Sequence, residues 1–173
     1  MHEVLVVSDS HGLTKELTEI KERHSPEYMI HCGDSELGIE ALALDGFVKV
    51  AGNCDRDSRL PIEQTLTIDG LTLYIVHGHL HYVKKDLTRL SYRAEEVGAH
   101  IVCFGHTHVA GVWSIHNQVF VNPGSIYMPR GYEERTYAII SWDQPDHIHV
   151  RYYTVDGKRV PHLDQTVQLE SFS

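Results

Sequence analysis

Val4-Leu5-Val6-Val7-Ser8-Asp9-Ser10-His11 sets a continuous apolar run directly against a carboxylate and an imidazole. A run without polar alternation is what a strand covered on both faces looks like, which predicts a strand over Val4 to Ser8. From about Thr14 to His24 the period lengthens. Leu13, Leu17 and Ile20 fall on one side of a predicted helix, and Lys15, Glu16, Glu19 and Lys21 on the other, until Pro26 stops it. Tyr28 to His31 reads as a second strand, Glu36 to Leu44 as a short helix and Phe47 to Val50 as a third strand. Alternation at this spacing implies right-handed βαβ crossovers and a parallel sheet. Such sheets place ligands at the carboxyl ends of their strands, and Asp9, Asp34 and Asn53 all lie just past such ends.

Further along, the pattern changes. Thr65 to Ile68 and Leu71 to Val76 flank Asp69-Gly70, a two-residue hairpin signal. One more amphipathic helix is predicted from about Lys84 to Val97, stopped by Gly98. Ile101 to Phe104 has the composition of a buried strand. After it come strands only, at Val109 to Ile115, Val119 to Val121, Tyr137 to Trp142 and Ile148 to Val155. The turns between them use Asn117-Gln118, Pro145-Asp146 and Asp156-Gly157. A parallel half followed by a largely antiparallel half predicts an α/β protein of two packed sheets with helices outside. The tail from His162 to Ser173 reads as peripheral.

With 173 residues the chain suits a single domain over 1–173. Its formal net charge of -9 argues against an extended nucleic-acid surface or an anionic-membrane surface, so any phosphate must be attracted locally. Three scattered cysteines, no basic leader before Val4 and no membrane-length apolar run predict a cytoplasmic protein.

Polar groups recur at five strand ends: Asp9-Ser10-His11, Gly33-Asp34, Gly52-Asn53-Cys54-Asp55, His77-Gly78-His79 and Gly105-His106-Thr107-His108. If residues 106 to 108 are extended, both imidazoles point to one side. Carboxylates, a carboxamide and imidazoles without thiolate bias suit Mn²⁺, Fe²⁺, Ni²⁺, Co²⁺ or Zn²⁺. So many ligands exceed one ion's needs, whereas two ions about 3.5 to 4 Å apart would use them all. Two divalent cations outweigh the Asp9 and Asp34 carboxylates together with a bridging hydroxide, giving an acidic protein one electropositive pocket.

In this order the five motifs, from residue 4 to about residue 130, resemble the calcineurin-like metallophosphoesterases, and most of all small bacterial and archaeal phosphodiesterases carrying Gly-Asn-Cys-Asp. The resemblance implies a four-layer α/β/β/α sandwich of two mixed sheets and two divalent ions, Mn²⁺ foremost. It assigns Asp9, His11 and His108 to one metal, Asn53, His77 and His106 to the other, and Asp34 as the bridge. The implied activity is hydrolysis of a small-molecule phosphodiester by a metal-bridging hydroxide, and homodimers are frequent among such proteins.

Many relatives carry His where this chain has Cys54, at the position of a general acid. A thiol is a weaker proton donor than imidazolium at neutral pH, so good leaving groups are favoured unless His79 or solvent supplies the proton. Cys54, His79 and Asp55 complete the catalytic set, with Asp55 placed to orient the loop or a metal-bound His. Asn53 and Arg130 are candidate substrate contacts, the guanidinium suiting bidentate phosphate binding. Asn122-Pro123-Gly124-Ser125 is either a structural turn or a phosphate-side loop. His31 reads as a buried hydrogen-bonding residue, His81 as solvated, His147 and His149 as an exposed face, and Cys32 and Cys103 as core. Glu22, Glu95, Glu96, Glu133 and Glu134 read as solvated faces. Two alternatives stand beside the phosphodiesterase reading. One is a catalytically weak retromer-type scaffold of the same fold, distinguished by an incomplete ligand set. The other is a phosphomonoesterase or dinucleoside polyphosphate hydrolase, which needs added cations such as Lys84, Lys85 and Arg130.

Overall fold

A computed structural model describes residues 1–130 and 134–170. Its first sheet contains β1 (His2–Val7), β2 (Tyr28–His31), β3 (Phe47–Lys49), β9 (Thr136–Trp142), β10 (His147–Thr154) and β11 (Gln165–Gln168), in the order β11-β10-β9-β1-β2-β3. The second contains β4 (Glu63–Ile68), β5 (Leu71–Val76), β6 (Ile101–Cys103), β7 (Gly111–Ile115) and β8 (Gln118–Asn122), in the order β4-β5-β6-β8-β7. Both sheets are mixed: β1-β2-β3 and β5-β6-β8 run parallel, and the remaining pairs antiparallel.

Three apolar clusters define four layers. Val4, Val6 and Ile30 meet Leu73, Ile75 and Ile101 between the sheets. Leu5 and Val7, on the opposite face of β1, pack against Leu17 and Ile20 of α1 (Lys15–His24). Tyr74, Val102 and Phe120 pack against Leu90 and Ala94 of α2 (Thr88–Glu96). Every β1 residue from Val4 to Val7 is thus buried on one side or the other, as its unbroken apolar run requires. Ser25, in the left-handed region, caps α1 by donating its N–H to the Lys21 carbonyl.

The expected helix over Glu36 to Leu44 is absent; a single 3-10 turn, Leu42–Leu44, stands in its place. The reason lies in its donors. Glu36 stands at φ +57°, outside the right-handed helical region, and Asp55 accepts its N–H, Ser35 Oγ the Leu37 N–H and Asp57 the Ile39 N–H, which holds the segment as turns. The second helix starts at Thr88 rather than near Lys84, because Asp86 Oδ1 accepts the Thr88 N–H and fixes the first turn there. The expected division into a parallel and an antiparallel half is also corrected: β9, β10 and β11 complete the first sheet. Within the tail, Gln165–Gln168 is an edge strand and Leu169 reaches the inter-sheet core. The turn placed at Asn117-Gln118 falls at His116-Asn117, both with positive φ. Residues 171 to 173, and Glu133 among the expected solvated faces, lie outside the described residues. Among the described residues no helix is long and apolar enough to cross a membrane.

Candidate metal centre

The carboxyl ends of β1, β2, β5 and β6 lead directly into Asp9, Asp34, His77 and the loop from Gly105 to His108. The turns are sharp. Asp9, His11, Asp34, His106 and His108 all have φ between +42° and +69°, a region that costs a non-glycine residue about 1–2 kcal/mol. The segment from His106 to His108 is therefore not extended, and its two imidazoles meet different neighbours. The His108 ring lies 5.3 Å from that of His11, and the His106 ring 5.0 Å from that of His77. Glycines permit the approach: a Cβ on Gly52 would stand 2.1 Å from Asp34 Oδ1, and one on Gly105 would stand 2.0 Å from Ser8 Oγ.

Asp9 Oδ1 lies 3.0 Å from His77 Nε2, 3.2 Å from His108 Nε2 and 3.9 Å from His11 Nε2. Asp34 Oδ2 lies 3.2 Å from the same His77 nitrogen and 4.0 Å from His11 Nε2. Asp9 Oδ2 accepts from Ser8 Oγ at 2.5 Å and from the His106 backbone N–H at 3.1 Å, which ties the two sheets together at the site. Burial opposes ionisation of Asp9, yet hydrogen bonds from His108, His77 and Ser8 hold its carboxyl well below the usual range. Burial likewise opposes the charge on His77, while hydrogen bonds to Asp34 and Asp9 raise it to about 9. Burial and the charges of His77 and Lys84 push His106 down to about 4.

Each inward-facing imidazole has a partner behind it. His108 Nδ1 lies 2.6 Å from the Met128 carbonyl, to which it donates. His77 Nδ1 meets His79 Nδ1 at 3.1 Å, and His11 Nδ1 lies 3.6 Å from Glu36 Oε1. This leaves three Nε2 atoms turned toward two buried carboxylates, with His11 and His108 Nε2 3.4 Å apart. Outer partners on Nδ1 are the usual support of ligating histidines. The donor set is oxygen and imidazole nitrogen, and two buried carboxylates converge on one imidazole. That chemistry fits divalent cations of the Mn²⁺ to Zn²⁺ series. Asp9, His11 and His108 can share an ion, as can Asp9, Asp34 and His77.

The other sequence candidates separate into two groups. Asn53 and Cys54 are exposed and line a cavity of ≈ 840 Å³ with Glu36 and Arg56, and the Asn53 amide makes a 3.7 Å contact with Cys54 Sγ. Partial desolvation by the cavity wall, and then the negative charge of Asp34, push the Cys54 thiol up. Asp55 receives three backbone N–H groups, from Asp34, Glu36 and Gly52. Arg130 stands outside this cavity, on the rim of another beside Thr107. The turn Asn122-Pro123-Gly124-Ser125 is committed internally. Asn122 donates to the Gly105 carbonyl and Thr107 Oγ1 and accepts from Gly124, while Ser125 Oγ donates to the Asp9 carbonyl and accepts from Tyr127 and Met128. These bonds supply the structural role that the sequence allowed for this turn. His81, expected in solvent, has its Nδ1 buried.

The calcineurin-like phosphoesterase superfamily domain matches residues 2–145. The chain belongs to that superfamily. It is 43% identical over 168 residues to the probable metallophosphoesterase YsnB of Bacillus subtilis, covering 96% of this chain and 99% of that protein. The crystal structure of a Streptococcus pneumoniae TIGR4 protein described as a predicted phosphoesterase superposes with a TM-score of 0.92 at 31% identity, covering 96% of this chain and 97% of that one. Vps29 of Chaetomium thermophilum, at 18% identity and TM-score 0.77 over 98% of this chain and 100% of its own, shares the fold. As a calcineurin-like phosphoesterase, the protein is a metal-dependent phosphoric ester hydrolase. Two supporting residues escaped the sequence reading. Ser8 is one, legible only as the hydroxyl beside Asp9. Glu36 is the other, hidden because a helix was expected over it.

Proposed function

We propose that this calcineurin-like phosphoesterase is a phosphodiesterase acting on a small-molecule diester, with two divalent cations, Mn²⁺ foremost, held by Asp9, His11, Asp34, Asn53, His77, His106 and His108. What carries the reading is the convergence of three Nε2 atoms on Asp9 Oδ1 and Asp34 Oδ2, each imidazole backed through Nδ1. When bound, the ions would supply a hydroxide nucleophile at neutral pH and neutralise the phosphoryl oxygens. The chain's own groups do the rest. Asp55 holds the Asp34 backbone in its left-handed turn, and His79 orients His77. Asn53 faces the ≈ 840 Å³ cavity, where the substrate oxygen that leaves would lie beside Cys54. A neutral thiol at that place donates a proton weakly, so aryl diesters turn over faster than alkyl esters. The reading treats residues 1–173 as one cytoplasmic domain.

Hydrolysis of bis(p-nitrophenyl) phosphate with and without Mn²⁺ tests it: turnover that depends on the metal is expected. Silence across Mn²⁺, Fe²⁺, Co²⁺, Ni²⁺ and Zn²⁺ in a folded sample would instead support a scaffold of the kind the fold also allows.

A further inference from the structure

A second set of metal donors stands on the outer side of His11. One ligand atom from each of His11, Glu36 and Cys54 lies within 4.8 Å of the other two. His11 faces Glu36 with Nδ1, 3.6 Å from Oε1, while its Nε2 turns inward to Asp9 and His108. Glu36 and Cys54 are exposed and line the ≈ 840 Å³ cavity, yet their backbones are fixed. The Cys54 N–H donates to Asp34 Oδ1 and the Glu36 N–H to Asp55 Oδ1, each at 2.8 Å. Glu36 is held at φ +57°, a strained conformation for a residue other than glycine, and in it the carboxylate stands beside His11.

Donor chemistry separates this set from the inner one. Thiolate, imidazole and carboxylate form a softer combination than two carboxylates with imidazoles, and they favour Zn²⁺ over Mn²⁺. Bonds of about 2.0–2.3 Å in a tetrahedral zinc site put ligand atoms roughly 3.3–3.8 Å apart, so small rotations of two exposed side chains close the set and leave the fourth position to water. We infer that Glu36, Cys54 and His11 Nδ1 form an inhibitory site for a thiophilic divalent ion, Zn²⁺ foremost, on the cavity wall. Binding releases the thiol proton to solvent. A neutral imidazole gives its lone pair to one ion at a time, so with Nδ1 on the outer ion the ring proton moves to Nε2 and His11 is withdrawn from the inner centre. The outer ion also fills the place beside Cys54 where the leaving oxygen would lie. That it inhibits rests on the phosphodiesterase reading; that it binds does not.

A thiol reagent and Co²⁺ test the site without turnover. Cys32 and Cys103 are buried, so in the folded protein iodoacetamide reports on Cys54 alone. Zn²⁺ added to the Mn²⁺-loaded protein should slow that labelling by roughly tenfold or more, and Glu36→Gln should raise the Zn²⁺ needed for half-protection by a similar factor. Co²⁺ should give a near-ultraviolet thiolate-to-cobalt absorption that Cys54→Ser abolishes. Unslowed labelling with no such absorption overturns the site. An absorption undiminished in Glu36→Gln at limiting Co²⁺ also overturns it, because the thiolate would then serve an inner ion. In turnover of bis(p-nitrophenyl) phosphate, Zn²⁺ should inhibit at the concentrations that protect Cys54. Protection without inhibition overturns the inhibitory role. Protection of Cys54 in a folded protein that never hydrolyses the diester with Mn²⁺ supports the site and overturns the phosphodiesterase reading instead.

Discussion

Asp55 holds Asp34 by its backbone, the Asp34 N–H donating to Asp55 Oδ2 at 2.8 Å while the Gly52 N–H reaches the same oxygen at 2.7 Å. One carboxylate thereby joins the turns that follow β2 and β3, and its other oxygen takes the Glu36 N–H at 2.8 Å. Asp55→Ala removes all three acceptor contacts. A loss of about 2 kcal/mol in stability and of roughly tenfold or more in Mn²⁺ affinity is expected, by denaturant titration and calorimetry. Affinity equal to wild type would show that Asp34 needs no such support.

Gly52→Ala should cost both metal binding and stability. Its Cβ would meet Asp34 Oδ1 at 2.1 Å and the Asp34 backbone nitrogen at 2.7 Å, so the carboxylate and the turn that carries it must both move. Gly70→Ala is the contrast, with nothing within 4 Å of the new Cβ and only the strain of φ +85°. Metal content by mass spectrometry of the two purified variants decides: normal loading of Gly52→Ala contradicts the placement of Asp34.

Cys54→His should flatten the dependence of kcat on leaving-group pKa. An imidazolium replaces a thiol that partial desolvation and the neighbouring carboxylates push up. The gain belongs to alkyl esters, with aryl diesters little changed. A slope unaltered across the series would remove residue 54 from proton transfer.

Metal binding should also stabilise the fold. At a hundredfold excess over Kd the linkage is about 2.7 kcal/mol, which in a chain of this size corresponds to a Tm rise of roughly 5–10 °C. Asp34→Asn should reduce that rise. Scanning calorimetry with and without Mn²⁺ checks both, and an unchanged wild-type Tm counts against the site.

Acid should destabilise the protein through His31. Its Nδ1 accepts the Gly33 N–H at 3.1 Å and its Nε2 bonds Ser10 Oγ at 2.8 Å, an arrangement only the neutral ring can make. Burial lowers it from 6.5 to about 4. The unfolded chain therefore binds the proton first, and stability falls as pH drops from 6.5 toward 4, by about 3 kcal/mol over that window. His31→Gln should shrink this part of the acid dependence, seen in urea midpoints at pH 7 and pH 4.5. An identical acid loss in the variant would assign it elsewhere.

Much of the candidate site was legible one residue at a time. Asp9, Asp34, His77, His106 and His108 each follow an apolar strand, because the turn that ends a strand is where polar side chains can leave the apolar core and meet one another. What neighbours in sequence could not reveal was direction. His106 meets His77 and His108 meets His11, both from positive φ in a turn held by contacts such as the His106 N–H to Asp9 Oδ2 and the Arg130 N–H to the His108 carbonyl. Glu36 was misread for the same reason: its backbone stands at φ +57°, in a turn whose acceptors, Asp55 and Asp57, lie about twenty residues away.

By itself, the order of apolar runs and periodic helices determined an α/β protein with ligand-type side chains at its strand ends, since local patterning alone decides which segments can bury a sheet. Only the tertiary structure decided that β9, β10 and β11 complete the first sheet, which Nε2 atoms turn inward, and that Trp113 shares a cavity wall with Lys84 and Arg130. Those outcomes depend on packing between distant segments, whose energies no local pattern contains.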